Sequence, residues 1–284
     1  MRIPAPSEKA TSITQAVSRD RIFPEKKEKL TVCLASTIGH YEDAFRVAYQ
    51  VYHPLGFVPH TPSGMCISES KLKKSTVVFV AYLGGRPVGT MSVYRDTGGG
   101  LPSDAGWKTE LNHFRDKGRV LVEFGSLMVL RDLRKGISVC LELFRHAWIY
   151  TTNICRCDTI CGFIQKRHER FYRNILQFIP FSEPRFYRWN GLQIKGVMGV
   201  SMDPQKAREH FKKQECGAEG APLNLYRYFC VTGFHKTRLN IWRQLAEQKR
   251  LSRKSFLRKF KPLLHAETTA GEKTAQLRKE AAQS

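Results

Sequence analysis

Arg119-Val-Leu-Val-Glu-Phe-Gly-Ser-Leu-Met-Val-Leu130 is the stretch on which the fold turns. It is a run of strand-forming apolar residues with one carboxylate, Glu123, in its middle. A buried strand carries Glu only where something uses or neutralises the charge. Gly125, two residues on, marks a bulge or a close backbone approach. Arg131-Asp-Leu-Arg-Lys-Gly136 follows directly, and a helical pattern follows that. Strand, carboxylate, glycine, basic turn and helix start in one segment point to a place where an acyl- or phosphate-bearing ligand meets a base.

Working outward, the flanks predict the rest of a sheet. Ser75 to Tyr82 reads as a strand, Leu83-Gly-Gly-Arg-Pro87 as a turn, and Val88 to Tyr94 as the returning strand of a hairpin. Before them, Thr31 to Leu34 is a short strand. A helix from about His40 to Tyr52 follows, with Phe45, Ala48, Val51 and Tyr52 at helical spacing. Asp96 to Asp104 reads as a flexible link, and Trp107 to Lys117 as a short helix. On the other side, Ile137, Cys140, Leu141, Phe144 and Trp148 share a helical face between Gly136 and Thr152. Asp158 to Ile164 is the next strand, Lys166 to Leu176 a helix, and Phe186 to Ser201 a strand pair broken at Asn190-Gly191. Antiparallel strands followed by strand-helix-strand-helix predict an α/β fold, a mixed sheet flanked by helices.

Composition bounds the partners. The chain has 284 residues and a formal charge of +22, so it suits an acidic partner: an acidic protein, an anionic membrane surface or nucleic acid. No run approaches the ~20 apolar residues of a spanning helix. The first thirty residues lack an apolar signal-type run and read as a leader. The eight cysteines are scattered apart from Cys155, Cys157 and Cys161, which points to reduced thiols in the cytoplasm. The C-x-C-x₃-C spacing of those three enters a strand and lacks a second ligand pair, so they read as buried thiols, with no metal site. Residues 31–203 form the expected core. Residues 204–264 form a basic helical C-terminal extension, in which Phe256, Leu257, Phe260 and Leu264 share a face, and residues 265–284 form a polar tail. The extension's basic amphipathic pattern suits an anionic lipid surface at the inner face of the membrane, and nothing in it resembles a named nucleic-acid motif.

Several segments together resemble the long-chain N-acyl amino acid synthases of the FeeM type, relatives of the acyl-homoserine-lactone synthases and of the GNAT acyltransferases. They are Phe45-Arg46 with Tyr52 and Gly56-Phe57, Val78 to Ala81 with Val88 to Ser92, Gly100-Leu-Pro-Ser-Asp104, Gly118 to Leu127, and His168 with Phe171-Tyr172. The resemblance spans about residues 35 to 200. It implies a GNAT-like, mostly antiparallel sheet, an acyl thioester donor and an amino acid or related small amine as acceptor. It also implies a donor carried by acyl carrier protein (ACP). Acetyl-CoA-using relatives carry Gln/Arg-x-x-Gly-x-Gly/Ala after the central strand, whereas Arg134 here replaces the first glycine. That disfavours the pyrophosphate cradle of CoA and favours a phosphopantetheine arm. No other bound cofactor is implied.

On this reading Glu123 is the candidate base. The bland alternative is a structural carboxylate paired with an Arg. Backbone N–H groups at a bulge near Phe124, Gly125 and Ser126 are candidates to bind the thioester oxygen as it becomes an oxyanion. Arg131, Arg134, Lys135 and Gly136 precede a helix N-terminus and suit phosphate, unless they form a solvated basic turn. The acid that protonates the departing thiolate is Tyr172, at the position the superfamily uses, or His168, four residues earlier on the same face. Arg46 and Tyr52 border the substrate cleft. Two rivals stay open: a lactone-forming synthase using S-adenosylmethionine, and a non-catalytic acyl-binding module.

Overall fold

The computed structural model describes residues 28–131, 133, 136–189, 192–217 and 224–264. In chain order the main elements are β1 (Leu30–Leu34), α1 (Ile38–Tyr52), β2 (Thr76–Leu83), β3 (Arg86–Arg95), α2 (Asp104–Asp116), β4 (Leu121–Val129), α3 (Gly136–Tyr150), β5 (Thr159–Gln165), α4 (Glu169–Asn174), β6 (Ile179–Pro180), β7 (Arg185–Trp189), β8 (Leu192–Met202), α5 (Pro204–Gly217) and α6 (Phe234–Arg250). A further helix occupies 253–264.

The strands form one sheet in the order β1-β2-β3-β4-β5-β8-β6, with β7 also paired to β8. Every pairing is antiparallel except β4 with β5. That parallel register runs only from Leu121↔Thr159 to Phe124↔Gly162. Beyond it β4 continues along β3 and β5 continues along β8, so the two central strands part. The sheet thus opens a gap just past Glu123.

Alternation along the strands feeds two cores. Phe79, Met91, Val93, Val122, Phe124 and Ile160 face α3, and Phe144, Ala147 and Trp148 cover them. Val78 and Val80 face α1, meeting Ala44 and Phe45. Tyr94, Leu121 and Cys161 lie on that same side under α2, against Trp107 and Leu111.

Three expectations change against this fold. Residues 96–104 are clamped rather than loose: Arg115 binds Asp104 through both terminal nitrogens (2.7 and 2.9 Å) and Asp96 through Nε (2.6 Å). The basic stretch from 235 onward is two helices, because Leu251 takes extended backbone (ψ 118°) and breaks it. The apolar stripe of the second helix is already covered. Phe256 and Phe260 are buried against Tyr41 and Phe45 of α1, with Phe45 and Phe260 ring centroids 5.2 Å apart. That stripe is therefore not a face left open for lipid. Among the described residues no helix is long and apolar enough to cross a membrane. The helical extension expected from residue 204 begins with α5, which Asp203 caps, accepting from the N–H groups of Gln205 and Lys206 (3.0 and 3.2 Å), while Pro204 occupies its first turn.

Candidate active site

β4 builds the site. Between its pairs with Thr90 and Ser92 of β3 it uses one more residue than its partner does, since Thr90 faces Met128 and Ser92 faces Gly125. This is a β-bulge, and Ser126 within it has φ +50°, a left-handed conformation costly for a non-glycine residue. The bulge lies where pairing with β5 has ended, so backbone groups of Gly125 to Leu127 on that side have no ladder partner in β5. The bulge falls next to Phe124, Gly125 and Ser126, the residues near which the sequence points to one. Gly125 serves packing as well: a Cβ there would sit 3.0 Å from Cε2 of Tyr94.

Glu123 is 6% exposed. The ladder places it opposite Tyr94 of β3 and Cys161 of β5. Its Oε2 accepts from Ser103 Oγ (2.5 Å) and from the Ser103 backbone N–H (3.2 Å). Burial pushes its carboxyl up from an ordinary 4.5 to about 7, the Ser103 hydrogen bonds oppose the rise, and the charges of Asp104 and Asp96 add to it. The structural-carboxylate alternative predicted an Arg partner. Arg115, the clamp arginine, spends its nitrogens on Asp96, Asp104 and Asn112 instead. Ser103 was missed from sequence, although Gly100-Leu-Pro-Ser-Asp104 already resembled the family. Its position just ahead of α2 suited a helix cap, yet it makes no side-chain capping bond, and its hydroxyl goes to Glu123.

A cavity of about 490 Å³ runs through the parting of β4 and β5, within the range of small-molecule sites. Its two ends differ chemically. On the α1/α2 side its walls include Glu123, Ser103, Ser68, Ser70 and Lys71. On the α3 side they are mostly apolar: Phe124, Leu127, Cys140, Phe144, Phe171 and the Tyr172 ring. Burial pushes the phenols of Tyr52, Tyr94 and Tyr172 up, so all three are hydroxyl donors at neutral pH. Tyr94 exchanges a hydrogen bond of 3.1 Å with Ser126 at the bulge.

The predicted residues divide accordingly. Glu123, Phe124, Gly125, Ser126, Tyr52, His168 and Tyr172 all line the cavity. Tyr172 packs edge-on against Phe144 (5.7 Å) and Phe178 (5.5 Å). His168 sits at the exposed lip, where its Nε2 accepts from Arg167 Nε (3.2 Å). Partial burial, then the Arg167 charge, lower its pKa. Arg46 is not a cavity residue: it is half exposed on α1, 3.6 Å from Glu42 one turn away. Arg131 is exposed after β4 and does not line the cavity, while Gly136 opens α3. Arg134 and Lys135 lie outside the described residues. Cys157 and Cys161 are buried thiols, and burial raises both further.

A mixed sheet split between its two parallel strands, with a bulge and a buried carboxyl at the split, is a GNAT-like fold. A family model described as N-acyl amino acid synthase FeeM matches residues 43–195, more than half of the chain, and the chain belongs to that family. Its fold is similar to that of FeeM, an N-acyl amino acid synthase from uncultured soil microbes, at 20% identity and a TM-score of 0.55, over 64% of this chain and 95% of that one. It is also similar to Escherichia coli ElaA (15% identity, TM-score 0.44, 62% and 99% covered). A third is BjaI, a CoA-dependent acyl-homoserine lactone synthase (15%, 0.43, 74% and 100%). No curated protein sequence matches the chain.

Proposed function

We propose that this N-acyltransferase moves a long-chain fatty acyl group from an acyl-ACP thioester to the amine of an amino acid. The observation that carries the proposal is Glu123: a buried carboxyl with a pKa of about 7, in a cavity where polar groups (Ser103, Ser68, Ser70, Lys71) stand beside it among apolar residues and whose α3 side is mostly apolar. The thioester carbonyl sits in the gap at the β4 bulge, its oxygen toward the backbone groups of Gly125 to Leu127. The acceptor enters from the α1/α2 side, where Glu123 and Ser103 line the cavity. Its nitrogen attacks the carbonyl carbon, the N–C bond forms and the C–S bond breaks. Glu123 takes the proton from nitrogen, directly or through a water. The departing sulfur takes one from Tyr172, whose side chain lines the cavity and packs on Phe144 on the α3 side. His168, at the lip, is the less favoured acid. The products are an N-acyl amino acid and a free thiol.

The donor assignment draws on charge. The chain carries +22, and Arg167 lines the cavity lip with exposed Arg170 nearby in sequence. An acidic carrier protein is steered to such a mouth, with a rate that falls as salt rises. Purified protein, given acyl-ACP or acyl-CoA with a mixture of amino acids, tests the reading by mass spectrometry and thiol titration. Thiol release matched by N-acyl amino acid, faster with ACP, is the expected result. Thiol release matched by free fatty acid, or by acyl-homoserine lactone when S-adenosylmethionine is supplied, overturns it.

A further inference from the structure

Beyond the apolar side of the cavity lies a second, much smaller void of about 10 Å³, room for roughly one water-sized probe. Phe124 and Phe144, ring centroids 6.0 Å apart, line both spaces and stand between them. The far wall of the small void is aromatic. Phe211 of α5 and Phe229 of the turn at Arg227–Val231 stack at 5.8 Å and 15°, and Trp148 of α3 stands 6.2 and 6.0 Å from them. Among the described residues no titratable side chain lines this void. Phe211 and Phe229 are each 2% exposed, and both lie beyond residues 43–195, in the segment the sequence sets apart from the core.

We infer that the Phe211–Phe229–Trp148 cluster is the end wall of the acyl-tail site, so that the segment after β8 sets the longest chain this protein accepts. The chemistry of the walls selects the occupant. A hydrocarbon tail pushed past Phe124 and Phe144 meets only apolar surface, whereas an amino acid would leave its charges unpaired there. The void itself is too small for several methylenes, so the wall acts as a stop. Each methylene that a receding wall admits adds about fourfold in affinity. The inference rests on the acyl-transfer reading for the identity of the tail, but its test does not need turnover.

The test is binding of saturated fatty acids of graded length, read by displacement of a fluorescent fatty acid, in the wild type, Phe229→Ala and the milder Phe229→Leu and Phe211→Leu. Thermal melts identify the variants that fold. The expected result is a shift of the tightest-binding length upward in the folded variants, with about fourfold gained per added methylene until the new wall is reached. Folded variants that keep the wild-type order of lengths overturn the inference. Acyl transfer from thioesters of the same lengths is measured beside it. A wild type that binds the tails yet releases no thiol overturns the catalytic reading and leaves the wall in place.

Discussion

Replacing Glu123 by Gln is expected to stabilise the protein at neutral and alkaline pH while disabling it. The folded state holds the Glu123 proton up to about pH 7, and the unfolded chain releases it near 4.5. Between those values the folded state binds more protons, so stability falls as pH rises through the window and the full cost stands above it. At about 1.36 kcal/mol per factor of ten in proton affinity, the buried charge costs roughly 3 kcal/mol. The amide of the Glu123→Gln variant would keep one carbonyl oxygen where Oε2 now accepts both Ser103 bonds. That amide bears its own burial cost, so the net gain is about 1–3 kcal/mol at about pH 8, closing toward zero near about pH 5. Urea denaturation of both proteins at the two pH values measures it. A variant less stable than the wild type at about pH 8, or a gap independent of pH, would refute the claim that burial holds this carboxyl partly protonated.

Other predictions follow from neighbouring groups. Tyr172→Phe keeps the ring contacts to Phe144 and Phe178, so it should melt like the wild type yet lose about 10²-fold in kcat, whereas His168→Gln at the lip should lose less than about tenfold. Equal losses in steady-state kinetics would return the acid role to His168. Ser103→Ala removes a hydrogen bond that lowers the Glu123 pKa, so the rising limb of the pH–rate profile should move to higher pH. Phe260→Ala should cost about 3–5 kcal/mol in denaturant unfolding, because helix 253–264 is packed on α1 and is not a free tail.

Most of the sheet was legible because its strands are apolar runs with turn residues between them. Leu83-Gly-Gly-Arg-Pro87 marks the β2–β3 hairpin, and Glu123 stands out as a charge inside such a run. Gly125 signalled the bulge beside it in the β3–β4 ladder, but not that pairing with β5 stops at Phe124. The Ser103–Glu123 bond was hidden because it joins residues twenty apart through a loop that Arg115 locks, a tertiary contact with no local pattern. Arg46 misled in another way. The resemblance grouped it with Tyr52 at the cleft, but it turns outward to Glu42. The stripe at Phe256 and Phe260 was read correctly as one face. What covers it is α1, and periodicity alone does not say whether a lipid or a neighbouring helix meets such a face.

The central claim is that Glu123 takes the proton from the attacking amine, and the pH dependence of acyl transfer tests it most directly. In the wild type the rate should rise with pH through an apparent pKa of about 7 and then level. Glu123→Gln should fall at least about 10²-fold and lose that inflection while remaining folded. A folded Glu123→Gln protein with the wild-type rate and the same inflection would contradict the account.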